Sequence, residues 1–186
     1  MSETTSPGRP RALVVHESMF GCTEQVARAV ADGLAESGFT VTALDVAAAR
    51  GTDPASYDLL VVGAPTHAFS LSRPSTRRDA VAQGGRPDAE AFGLREWIGD
   101  LPQRSRADRR PFAAFDTRMS KVRRLPKSAA TRATRLLAHR GYRPAVRPAP
   151  FIVEDTQGPL APGELERAHE WGRSLARTVA PSAAAG

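Results

Sequence analysis

An apolar run, Ala12-Leu13-Val14-Val15, leads into Ser18-Met19-Phe20-Gly21-Cys22-Thr23, and an amphipathic pattern then continues past Val30. Three parts must fit together here: a buried strand, a turn bearing hydroxyls and glycine, and a helix that starts at the turn. Such a turn gathers backbone N–H groups, two hydroxyls and a helix N-terminus at one spot, which suits a phosphate. It holds no Lys or Arg, and Glu17 beside it is acidic. A phosphate there would rest on N–H groups, on Ser18 and Thr23, and on the helix dipole, worth ~0.3–1 kcal/mol per charge at exposed sites. An ordinary capped helix uses the same residues, and physics alone leaves both readings open. The turn has neither Gly-x-x-x-x-Gly-Lys nor Gly-x-Gly-x-x-Gly, which argues against the commonest nucleotide loops.

Strand and helix signals alternate along the rest of the chain. Residues 11–16, Phe39–Val46, Leu59–Val62, Pro111–Phe115 and Phe151–Val153 read as strands, and the continuous apolar run at Leu59–Val62 suits a strand covered on both faces. Residues 23–37, Ala89–Leu101, 127–140 and Gly163–Val179 read as helices, the first stopped by Gly38 and the third by Gly141. Ser70–Pro87, with Pro74, Gly84, Gly85 and Pro87, reads as a long loop that either covers a site or is disordered. Alternation of this kind predicts an α/β three-layer sandwich with a parallel sheet and helices on both faces. Ligands in such folds sit beyond the carboxyl ends of the strands, here Glu17–Thr23, Ala64–Phe69 and Asp116–Met119. One domain over 11–179 is expected, with disordered ends at 1–10 and 180–186.

The 186 residues are 41% hydrophobic and 25% charged, ordinary for a globular domain. No apolar run reaches the ~18–20 residues of a membrane span, residues 1–10 lack the apolar stretch of a secretory signal, and Cys22 is the single cysteine. A cytoplasmic protein without disulfide or zinc cluster is the expectation. The net charge of +6 is unevenly spread: residues 104–147 hold fourteen Lys or Arg against Asp108 and Asp116, while the remainder is net negative. This segment reads as a solvated face or as a field steering an anionic partner; nucleic acid is disfavoured, because aromatics for base stacking are missing.

Ser18-x-x-Gly21-x-Thr23 after a strand resembles the phosphate loop of the flavodoxin family. Gly63-Ala64-Pro65-Thr66-His67-Ala68 resembles that family's second flavin loop, and Phe115-Asp116-Thr117-Arg118 stands at the place of the third. The resemblance spans 11–179. It implies a five-stranded sheet of order 2-1-3-4-5 and one non-covalent FMN. Ser18, Met19, Phe20, Gly21, Cys22 and Thr23 would wrap its phosphate. Pro65, Thr66, His67, Ala68 and Phe69 would line one side of the ring, and Asp116, Thr117 and Arg118 the other.

Three departures shape the expected function. Only His67 and Phe69 are available to stack on the ring; residues 64–69 lack the glycine that favours the one-electron-reduced flavin in many relatives; and the chain is basic where electron-carrier flavodoxins are usually acidic. The resemblance implies a flavoprotein that exchanges electrons with a protein bearing an acidic docking face. The alternative is an FMN-dependent oxidoreductase taking an anionic small molecule, such as an NAD(P)H-quinone reductase, a porphyrin-type oxidase or a tailoring enzyme. Cys22 is read as a small loop-filling residue rather than a reactive thiol. His67 is read either as a hydrogen-bond or proton donor to the flavin or as a packing residue.

Overall fold

A computed structural model describes residues 8–67, 69–105, 108–122 and 127–179. Of the ends expected to be disordered, 1–7 and 180–186 lie outside the described residues, whereas residues 8–10 lead into the sheet, with the Pro10 carbonyl accepting from the Thr40 N–H at 2.8 Å.

Strand β1 (Arg11–His16) is buried beyond Arg11 and pairs in parallel with β2 (Thr40–Asp45) and β3 (Leu59–Pro65), so that Val14 faces both Ala43 and Val61. Side-chain alternation splits its residues between two cores. Ala12 and Val14 pack with α1 (Cys22–Glu36) and α5 (Glu164–Val179), while Leu13 and Val15 pack with α3 (Leu94–Asp100) and α4 (Ala129–His139). The two cores account for the continuous apolar runs of β1 and β3, since a strand between helical layers has no solvent face. On the first face α1 and α5 approach closely. A Cβ at Gly33 would lie 2.1 Å from the His169 carbonyl oxygen, and one at Gly172 2.3 Å from that of Val30. There, too, Phe115, Phe151 and Trp171 form an edge-to-face trio with ring centres 5.9–6.1 Å apart.

The sheet order is the expected 2-1-3-4-5, with one refinement. The outer edge of β4 (Pro111–Met119) is lined by two short pieces, β5 (Arg143–Pro144) and β6 (Ala149–Val153), rather than by one strand. Pro144, Pro148 and Pro150 cannot donate to a ladder, and prolines are tolerated at such an edge.

Three local expectations are corrected. The segment 70–87 is not a long loop, because α2 (Pro74–Ala82) lies within it, with Pro74 in the first turn and Gly84 at φ +90° after its end. The helix expected over Ala89–Leu101 is shorter: a 3₁₀ turn at Pro87–Glu90 precedes α3, which starts only after Gly93. Finally, β4 does not stop at Phe115; it runs to Met119, so Asp116, Thr117 and Arg118 are strand residues rather than a loop.

Candidate functional site

The turn after β1 is built around Ser18. Its Oγ accepts from the Gly21 N–H at 3.1 Å and the Glu24 N–H at 3.3 Å, and Gly21, at φ +94°, turns the chain into α1. The first N–H groups of a helix have no acceptor within it. Ser18 takes two of them, and no side chain caps Cys22 or Thr23. The Thr23 hydroxyl lies 2.8 Å from that of Thr117, tying the turn to β4. Cys22 is buried, and burial pushes its thiol pKa up, which suits the small-residue reading.

At the second segment, Pro65 ends β3 and the Thr66 N–H donates to the Thr117 carbonyl at 2.9 Å. Thr66 Oγ1 accepts from the Ala129 N–H at 3.0 Å, satisfying the start of α4. His67 and Ser70 exchange two backbone hydrogen bonds of 2.9 Å, and the turn between them sets Phe69 outward at φ +62°, half exposed. The His67 Nε2 is buried without a partner, and burial, with a smaller push from Arg77, lowers the imidazole pKa. Ala68 lies outside the described residues.

In β4, Asp116 and Arg118 point to the same face and pair through two contacts, Nε to Oδ1 at 2.6 Å and Nη2 to Oδ2 at 2.7 Å. Asp116 also accepts from the Ala130 N–H at 3.0 Å and is fully buried.

These segments enclose a concavity of about 90 Å³. Of the residues predicted to hold a cofactor, Met19, Phe20, Cys22, Thr23, Pro65, Thr66, His67, Thr117 and Arg118 line it. Ser18 and Gly21 shape the turn from within, Asp116 lies beneath under α4, and Phe69 faces a neighbouring concavity. Met119, at the end of the third predicted segment, also lines it, and so do Val153 and Thr156, which were not expected from the sequence. The signal for Val153 and Thr156 was their position at the end of the last strand, at the same sheet edge.

A buried polar cluster beside the turn was also missed. The Glu17 N–H donates to the Gly63 carbonyl at 2.9 Å, and its Oε2 accepts from the Leu94 N–H at 2.7 Å. Arg77, 1% exposed, donates to the Glu90 carbonyl at 2.8 Å and to Ser72 Oγ and Glu96 Oε2, both at 3.1 Å. A Cβ at Gly93 would lie 2.5 Å from Arg77 Nη1 and 2.9 Å from Glu17 Oε2, so a glycine is what lets the cluster close. Burial raises the Glu17 pKa, opposed by hydrogen bonds from Ser72 and Leu94 and by the Arg77 charge. The cluster fastens the α2 segment to the turn. His16, just before it, is also buried, with Nδ1 unpartnered and its pKa lowered by burial.

The flavodoxin family model matches residues 14–75, the stretch holding the turn, β3 and the second segment. No curated protein matches the chain. Among solved structures, a flavodoxin from the domain Archaea is similar at 15% identity, TM-score 0.61, over 91% of this chain and 98% of its own. The Streptococcus pneumoniae TIGR4 flavodoxin is similar at 19% identity, TM-score 0.59, over 90% and 98%. The oxidised Flavodoxin 1 from Bacillus cereus is similar at 15% identity, TM-score 0.59, over 90% and 97%. At these identities the likeness is one of fold. Among the described residues no helix is long and apolar enough to cross a membrane.

Proposed function

We propose, from the premise that this is a flavodoxin-like protein, that it binds one FMN non-covalently and exchanges electrons with a partner protein. The observation that carries the reading is the concavity itself: Cys22 and Thr23, whose amides no side chain caps, and His67, whose Nε2 is buried without a partner, line one space from two segments. The lining fits a phosphate ester bearing a flat ring, with neutral donors at one end and Met19, Phe20 and Met119 as apolar surface. About 90 Å³ is well below the ~300 Å³ of a pocket that encloses a whole small ligand, so the concavity would take only part of such a cofactor.

The bound flavin would supply reversible one- or two-electron transfer. The chain's residues bind and orient it. Ser18 holds the turn in shape, Thr23 and the first amides of α1 would hold the phosphate oxygens, and His67 Nε2 would donate a hydrogen bond to the ring or hold a proton there. Pairing with Asp116 compensates Arg118, so the cofactor is held without a free cation from that strand. The lone buried cysteine fits a reducing compartment, and we place the protein in the cytoplasm. One observation favours a second reading, an oxidoreductase acting on a small molecule: an imidazole with lowered pKa and an open Nε2 can deliver a proton to a substrate.

The test is a visible spectrum of the purified protein, with FMN added to the apoprotein. A yellow one-to-one complex is expected, and Ser18→Ala with Thr23→Ala should weaken FMN binding by about tenfold or more. Absence of any flavin uptake sinks the reading. Rapid bleaching by NAD(P)H alone favours the small-molecule oxidoreductase, whereas reduction by light or a protein donor only favours the carrier.

A further inference from the structure

Helix α4 carries no acidic residue, and Lys127, Arg132 and Arg135 line one side of a concavity of about 270 Å³, with Phe69 and Ser70 on the other. Among the described residues none of these three cations has an ion-pair partner. Several surface arginines elsewhere are paired, Arg28 and Arg86 with Glu24, Arg110 with Asp108, and Arg173 and Arg177 with Glu170, and exposed arginines without a pair, such as Arg78 and Arg147, do not line this concavity. Like charges also crowd here. Arg95, which fastens the segment to Ser70, Leu71 and Ser72, has its pKa lowered first by burial and then by Arg132 and Arg73.

Phe69 is the second observation. It is one of two large hydrophobic residues exposed among the described residues, the other being Leu165. Its positive φ is unfavourable for a bulky side chain, and the doubly hydrogen-bonded turn between His67 and Ser70 holds it there. An exposed aromatic beside unpaired arginines has the composition of an interface hot spot. The turn carries His67 into the candidate cofactor concavity and Phe69 into the basic one, so the two sites are two residues apart.

We infer that the surface formed by Phe69, Lys127, Arg132 and Arg135 is the docking face for the partner protein, which presents carboxylates around an apolar spot that receives the Phe69 ring. The inference rests on the redox reading above and gives the partner its surface and its sign. The carboxylates supply the counter-charges that α4 lacks, and they draw the partner to the edge of the ring by long-range attraction.

The test uses apoprotein, so that docking is read independently of flavin uptake. The probe is an immobilised acidic [2Fe–2S] ferredoxin, with immobilised basic cytochrome c as the opposite. The expected result is retention on ferredoxin at low salt, released as salt rises, and none on cytochrome c. Arg132→Glu with Arg135→Glu should weaken retention by about tenfold or more, and Phe69→Ser should weaken it at every salt concentration. Arg173→Glu, a charge reversal on α5, should leave it nearly unchanged. The proposal falls if the wild-type protein is not retained, or if Arg173→Glu costs as much per charge as the α4 reversals, because net charge alone would then explain binding. It also falls if citrate displaces the protein far better than sodium chloride of equal ionic strength, because the concavity would then be a site for a small organic anion. Loss of flavin uptake with retention intact would overturn the cofactor reading and leave the docking face standing.

Discussion

Arg77 and Arg132 lie on neighbouring segments beside the same sheet edge, and they do opposite work. Arg77 is inside α2's contact with the body of the fold, and each contact it makes goes to an acceptor on another segment: Ser72, Glu90 or Glu96. Arg132 is exposed on α4 with no ion-pair partner among the described residues. One guanidinium has been dehydrated and fully employed, so it holds structure. The other remains hydrated and uncommitted, so its charge is available to something outside the chain. The difference teaches that the +12 excess of residues 104–147 is not uniform in meaning. Arg118 is turned inward to Asp116 and Arg104 to Asp108, whereas Lys127, Arg132 and Arg135, without an ion pair among the described residues, line one concavity.

The largest effect that would break this contrast is on stability. Arg77→Met keeps much of the side chain's bulk but strands Ser72, the Glu90 carbonyl and the Glu96 carboxylate. A loss of about 3 kcal/mol is expected in urea unfolding, and a loss near zero would show that Arg77 is not a fastening. A smaller effect sharpens the role of the cluster. Because Glu17 has its folded pKa raised above 4.5, the native state binds the extra proton. This group's contribution is therefore fully present below pH 4.5 and is lost as pH rises through the folded pKa. Glu17→Gln should remove that decline, leaving a flatter dependence of the unfolding midpoint above pH 4.5. His16 and His67 act in the opposite sense: with folded pKa values below 6.5, they cost stability as pH falls below 6.5, and this slope should survive in the variant. The smallest effect is expected on the exposed face. Arg132→Ala with Arg135→Ala should change unfolding stability by no more than about 0.5 kcal/mol, since neither side chain holds a partner in the fold. A large loss there would remove the distinction from Arg77.

These two regions also mark where the sequence was legible. β1 and β3 could be read as short continuous apolar runs, and α1 and α5 because their apolar spacing follows period 3.6 with Gly38 and Gly163 near their ends. The turn after β1 was legible because all its parts are contiguous. α2 was hidden because the residues it buries are Arg77 and Ala80, which make no apolar stripe, and because Pro74 reads as a breaker although it is well placed in a first turn. The end of β4 was hidden for a related reason. Asp116 and Arg118 look like loop residues, yet at spacing two they share a face and neutralise each other, which lets a buried strand continue. The Glu17 cluster joins residues up to 77 positions apart, and no local pattern encodes such a meeting.

The seam between α1 and α5 has a consequence for the far end of α1. Gly33 and Gly172 let two backbones touch, so the helix is clamped at that point like a beam in a vice. Cys22 and Thr23 stand at the other end of this beam, eleven and ten residues away, or about 15 Å at the rise of an α-helix, where the Thr23–Thr117 contact of 2.8 Å also holds it. The direction of the amides at the start of α1 is thus set partly by a contact far from them. Sequence change along the rest of both helices can be absorbed by repacking, whereas a side chain at either glycine would tilt the beam and mis-aim its tip.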